Sequence, residues 1–156
     1  MLERKIDSLD IELAVANLFN YRVNLIVPNV SWGMFIHECD LLIISRDNYA
    51  TEVEIKISKS DLKADQKKKH EHNSRKIKYL YFAIPDYLYE YKDLIPERAG
   101  IITVYWYEHF GRFLAVRRRK PQKYSNYKMS ERERYDVARL GTMRIWTLKR
   151  KLKDFE

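Results

Sequence analysis

The chain has 156 residues, 46% of them hydrophobic, and its 30 lysines and arginines outweigh 22 aspartates and glutamates to leave a formal net charge of +8. That size suffices for one compact domain over residues 1–156 with an unstapled core, and the charge favours a polyanionic partner. Cys39 is the single cysteine, which excludes an internal disulfide and any cysteine-based zinc cluster; no apolar run reaches the length of a membrane span, and the N-terminus lacks a signal-peptide-like apolar region, so a cytoplasmic protein without a membrane partner is expected.

Helical spacing of apolar residues predicts a first helix over 8–19, opened by Asp7 or Ser8 as cap. Leu9, Leu13 and Ala16 form one apolar row, and Ile11, Val15 and Leu18 another. Glu12 shares a face with Val15, Ala16 and Phe19.

A β-hairpin is expected next, with strands over 40–44 and 49–57 joined by a polar break at Arg46, Asp47 and Asn48. With the turn centred on Asp47, Asp40 lies opposite Glu54, and the period of two places Lys56 on the face of Glu54. The same register sends Cys39, Leu41 and Ile43 to the opposite face with Ile55, Val53 and Thr51, so that side is the buried one and Cys39 is an ordinary buried thiol. Glu38 and Glu52 lie two residues from Asp40 and Glu54 on those strands, and either substitutes if the acids are displaced by two.

An acid-x-lysine triplet is unspecific by itself, since Glu3/Lys5, Asp61/Lys63, Asp65/Lys67 and Glu90/Lys92 also have it. Glu54/Lys56 stands apart because it lies in a β-branched apolar run and follows an aspartate at hairpin distance; the alternative is a ladder of surface ion pairs. Phosphodiester hydrolysis calls for a hard divalent cation, and carboxylates with a backbone carbonyl suit Mg²⁺, with Mn²⁺ as a substitute. Asp40 and Glu54 are the candidate ligands, the Ile55 carbonyl a third, and the Lys56 ammonium the stabiliser of the negative transition state.

Ser60 is the expected cap of a second helix over 61–70, whose face bearing Lys63, Lys67 and His70 either tracks a phosphate backbone or is merely solvated. Asp61 reads best as a capping acid, and Asp65 stays open between that role and support of the site. Residues 78–85 have strong strand character, with Leu80, Phe82 and Ile84 on one face and Tyr79, Tyr81 and Ala83 on the other. A short tyrosine-rich helix over 86–92 and two strands over 101–107 and 113–118 follow. The last helix, over about 130–153, opens with the Ser130/Glu133 capping box, carries a stripe of Val137, Leu140, Trp146, Leu148 and Leu152, and interrupts it with Gly141. Basic residues concentrate at Lys63, Lys67 and Lys68, at Arg117, Arg118 and Arg119, and along this last helix, as a DNA-binding surface would.

Taken together, Asp40, Glu54, Lys56, Ser58, Asp61, Asp65 and Lys67, followed by the strand ending Phe82-Ala83-Ile84-Pro85, resemble the PD-(D/E)XK nuclease superfamily, and within it the MmcB-like family of DNA-repair proteins. The resemblance covers about the middle half of the chain. It implies an α/β restriction-endonuclease-like fold, a four-stranded mixed sheet flanked by helices, with the first helix donating an additional acid, for which Glu12 is the candidate; a boundary residue on a half-buried helix is the other account of Glu12. It further implies Mg²⁺-dependent hydrolysis of DNA in repair, recombination or mobile-element processing. A homodimer would suit cutting of both strands. A nucleic-acid-binding module that keeps the fold without catalysis, and a basic scaffold protein, are the competing expectations.

Overall fold

The computed structural model describes residues 4–31, 37–66 and 73–155. Its centre is a mixed sheet of six strands lying side by side in chain order: β1 (Leu25–Val30), β2 (Cys39–Ile44), β3 (Ala50–Ile55), β4 (Tyr79–Pro85), β5 (Gly100–Tyr107) and β6 (Arg112–Arg119). The first three form an antiparallel meander, β3, β4 and β5 run parallel, and β6 returns antiparallel as the second arm of a hairpin. Parallel neighbours need crossovers, supplied here by α2 (Lys59–Gln66) and by a 3₁₀ helix, Asp86–Leu94. The architecture is thus α/β; the sheet has two strands beyond the four-stranded core that the resemblance implies, and β1 is the strand not expected from the sequence.

Leu41 pairs with Val53 and Ile44 with Ala50, which centres the hairpin on Asp47 and, extended by one residue, sets Asp40 opposite Glu54 as the alternation requires. The burial is another matter. One face does lie under α1 (Ser8–Leu18), where Ile11, Ala14 and Val15 meet Leu41, Ile43, Val53, Ala83 and Ile102. The other face, however, is also covered. Leu42, Ile44 and Ala50 pack beneath Val137 and Leu140 of α3 (Glu131–Asp154), while Leu80, Phe82 and Ile101 pack beneath Leu62 and Leu88. The unbroken run Leu41–Ile44 is therefore a strand buried on both sides, and charge is confined to one end of it.

Cys39 departs from the expected alternation. It is buried, but it packs with Leu42 and Ile44 rather than with Leu41 and Ile43. The β1–β2 ladder pairs Val30 with Cys39 and Pro28 with Leu41 but skips Asn29 opposite Asp40, and Asn29 takes φ 52°. A left-handed residue there re-aims the strand end.

Local signals explain the helices. Asp7 caps α1 reciprocally with Asp10, each side chain accepting from the other's N–H at 2.9 and 3.0 Å. The buried row of α1 is Ile11, Ala14 and Val15, whereas Leu9 and Leu13 are exposed. Ser58, not Ser60, caps α2: its Oγ accepts from Asp61 N–H at 3.2 Å. Ser130 and Glu133 form the expected box on α3. Beyond Arg144 the apolar stripe is not covered: Trp146, Leu148 and Leu152 are 65, 57 and 69% exposed. Among the described residues no helix is long and apolar enough to cross a membrane.

Candidate active site at the β2–β3 strand ends

Where β2 begins and β3 ends, the sheet opens into a cleft of about 830 Å³ whose lining includes Asp40, Glu54, Ile55, Lys56, Asp65 and Arg144. Each arrives for a local reason. Asp40 is the second residue of β2, and its Oδ2 accepts the Ile55 N–H at 2.8 Å, taking over where the β2–β3 ladder ends. In an extended strand the N–H and C=O of one residue point to the same side, so the Ile55 carbonyl projects toward the edge that carries Asp40. On the other side Lys56 N–H donates to Ala83 O at 3.1 Å, which ties the triplet to β4.

Lys56 Nζ lies 3.1 Å from Asp65 Oδ1 and 3.7 Å from Glu54 Oε2, with all three side chains largely buried. Burial pulls the Lys56 pKa down, but Asp65, Glu54 and Asp40 together hold it above the ordinary lysine value. The ammonium therefore stays charged. Glu12 is half-buried, and burial, aided by the charge of Asp40, lifts its carboxyl above the usual range. It thus lies within electrostatic reach of Asp40, one turn after Ser8, which lines the cleft. Three carboxylates, Asp40, Glu54 and Asp65, accompany one lysine at the cleft, an all-oxygen, net-negative set suited to a hard cation, while Glu12 is not among the lining residues.

Asp65, left open by the sequence, is a buried partner of Lys56, while Asp61 accepts from Ile57 N–H at 3.3 Å and shapes the turn into α2. Glu38 lines the cleft as an exposed residue, and Glu52 is wholly buried with His37 Nε2 2.7 Å from its Oε2. Arg144 is a cleft residue that the sequence did not single out; its Nη2 donates to Asn29 O at 2.6 Å, and its Nε is buried with no hydrogen-bond partner among the described residues.

The basic residues expected to meet nucleic acid are scattered. Lys63 is exposed on α2 and is not among the cleft residues; Lys67, Lys68 and His70 lie outside the described residues. Arg117, Arg118 and Arg119 stand on the far edge strand. Arg117 stacks on Phe19 at 4.7 Å, Arg118 Nε donates to Thr103 Oγ1, and Arg119 donates to the carbonyls of Ala99 and Pro96. These arginines are engaged with the fold itself, three strands away from β3.

No family model and no curated protein matches the sequence. Among solved structures, the SPO1766 protein of unknown function from Silicibacter pomeroyi superimposes with a TM-score of 0.64 at 14% identity, covering 96% of this chain and 93% of that one. The likeness is one of fold.

Proposed function

We propose that the chain is a Mg²⁺-dependent deoxyribonuclease of the PD-(D/E)XK kind. The observation that carries the reading is the convergence on Lys56: an ammonium kept charged at the wall of a cleft by Asp65, Glu54 and Asp40. Asp40, Glu54 and the Ile55 carbonyl would hold the cation, and Glu12 would add charge from α1. When bound, Mg²⁺ would neutralise phosphate charge and activate water near neutral pH.

The protein's own groups have separable parts. Lys56 donates to a phosphate oxygen and stabilises the charge that develops on it; a lysine with a raised pKa is an electrostatic group rather than a base. Asp65 fixes the Lys56 head, and the Ile55 N–H orients Asp40. Arg144 supplies a second cation to the same cleft, reaching it from α3. DNA is the polyanion that the charge of +8 favours.

The test is cleavage of plasmid, single-stranded, nicked and branched DNA with Mg²⁺ or Mn²⁺, with Asp40→Asn and Lys56→Gln as controls. The amide introduced by Asp40→Asn keeps an oxygen for the Ile55 N–H, so folding is retained. The expected result is cleavage that stops on chelation and falls about 10²–10³-fold in either variant, with DNA binding unchanged. Wild-type binding without cleavage would replace this reading with the non-catalytic binding module.

A further inference from the structure

A second cluster stands directly beside the oxygen-lined site. Glu52 of β3 has no exposed surface, and a carboxylate so placed persists only where its charge is compensated. His37 Nε2 lies 2.7 Å from Glu52 Oε2, and one ligand atom from each of His37, Cys39 and Glu52 lies within 4.8 Å of the other two. The β1–β2 ladder is irregular where Asn29 of β1 faces Asp40 of β2, and next to it Cys39 packs with Leu42 and Ile44 on this side of the sheet.

We propose that His37, Cys39 and Glu52 bind a borderline-soft divalent cation, zinc by preference, separate from the Mg²⁺ position. Imidazole, thiolate and carboxylate are the zinc donor types, and bonds of about 2.0–2.3 Å in a tetrahedron set ligand atoms about 3.3–3.8 Å apart. The three donors already lie within that range plus about an ångström. The His37–Glu52 contact, at 2.7 Å, must open by about 0.6 Å or more for both atoms to ligate one ion. On binding, the Cys39 thiol proton leaves to water, and His37 presents a ring-nitrogen lone pair rather than an N–H toward the ion. His37 and Cys39 line the cleft whereas Glu52 does not, so the fourth position faces the cleft and is open to water or a small anion.

Donor chemistry keeps the two positions apart. Asp40, Glu54 and the Ile55 carbonyl offer oxygen alone, which suits Mg²⁺; nitrogen and sulfur at the neighbouring position favour zinc. Cys39 and Asp40 are consecutive, so the soft ion would pin the start of β2 and thereby the Asp40 carboxylate. The proposal does not depend on nuclease activity.

The experiment loads chelator-treated full-length protein with Zn²⁺ or Co²⁺ alone and reads bound metal and the near-ultraviolet thiolate-to-cobalt charge-transfer band. Wild type and Asp40→Asn are expected to bind one equivalent each and to show the band. Cys39→Ser should abolish the band, and His37→Gln, at a partly exposed position, should weaken Zn²⁺ affinity by more than the roughly 10–100-fold that loss of an orienting partner costs. The proposal is overturned by a wild type without the band, by a band that survives in Cys39→Ser, or by Zn²⁺ binding that Asp40→Asn alone removes.

Discussion

Lys56 is the residue around which the charges of the cleft are arranged. Its pKa is raised despite burial, so its ion pairs stabilise the fold fully below the ordinary lysine pKa of about 10.4 and are lost only as pH climbs through the higher folded value. Asp65 makes the shorter contact. Asp65→Asn should loosen the lysine and slow DNA cleavage about 10–100-fold, the equivalent of about 1.5–3 kcal/mol for a charged hydrogen bond, with little change in DNA affinity; single-turnover rates against binding constants separate the two. Glu133 illustrates the opposite sign. Burial would raise its carboxyl, but Lys76, the Ser130 N–H and Tyr127 donate to it and bring it down to about 2. Its contribution is present above the unfolded value near 4.5 and lost as pH falls toward 2. Denaturation midpoints should therefore drop across that window in the wild type, and the drop should be smaller in Glu133→Gln.

At the scale of elements, close approaches set the limits. A Cβ at Gly100 would lie 2.6 Å from two ring carbons of Tyr81 and 2.9 Å from Arg119 O, so Gly100→Ala should cost about 1–3 kcal/mol in denaturant unfolding. Gly141 of α3 faces Val27 of β1 with only 3.2 Å for an added Cβ, which gives a packing reason for a residue that weakens a helix. The hairpin turn opposite the site is fastened to α3 from outside, with Arg134 Nη1 donating to Ser45 O and Asn48 Oδ1 at 2.8 and 2.9 Å. One end of the β2–β3 hairpin is thereby fixed while the other forms the cleft.

For the molecule as a whole, the excess of positive charge is spread around the sheet rather than gathered at the cleft, where acids outnumber cations. Affinity for DNA should accordingly fall linearly in a plot of log K against log salt, and Arg144→Ala should reduce that slope by about one, as loss of a single phosphate contact does. An unchanged slope in titrations at several salt concentrations would remove Arg144 from the DNA surface.

The hairpin, its register, the β4 faces and the three main helices follow from local sequence, because alternation, helical periodicity and capping boxes act between neighbours in the chain. So does the grouping of Asp40, Glu54 and Lys56, which one turn centre fixes. Strand β1 has no such signature: Pro28 argues against a central strand and is accommodated only because β1 is the sheet edge. Burial on both faces of Leu41–Ile44 depends on α3, the last element of the chain, returning across the sheet. The same holds for Asp65 against Lys56 and for Arg144 at the cleft. Those contacts join segments whose spacing carries no period, so only the packing of helices onto the sheet decides them.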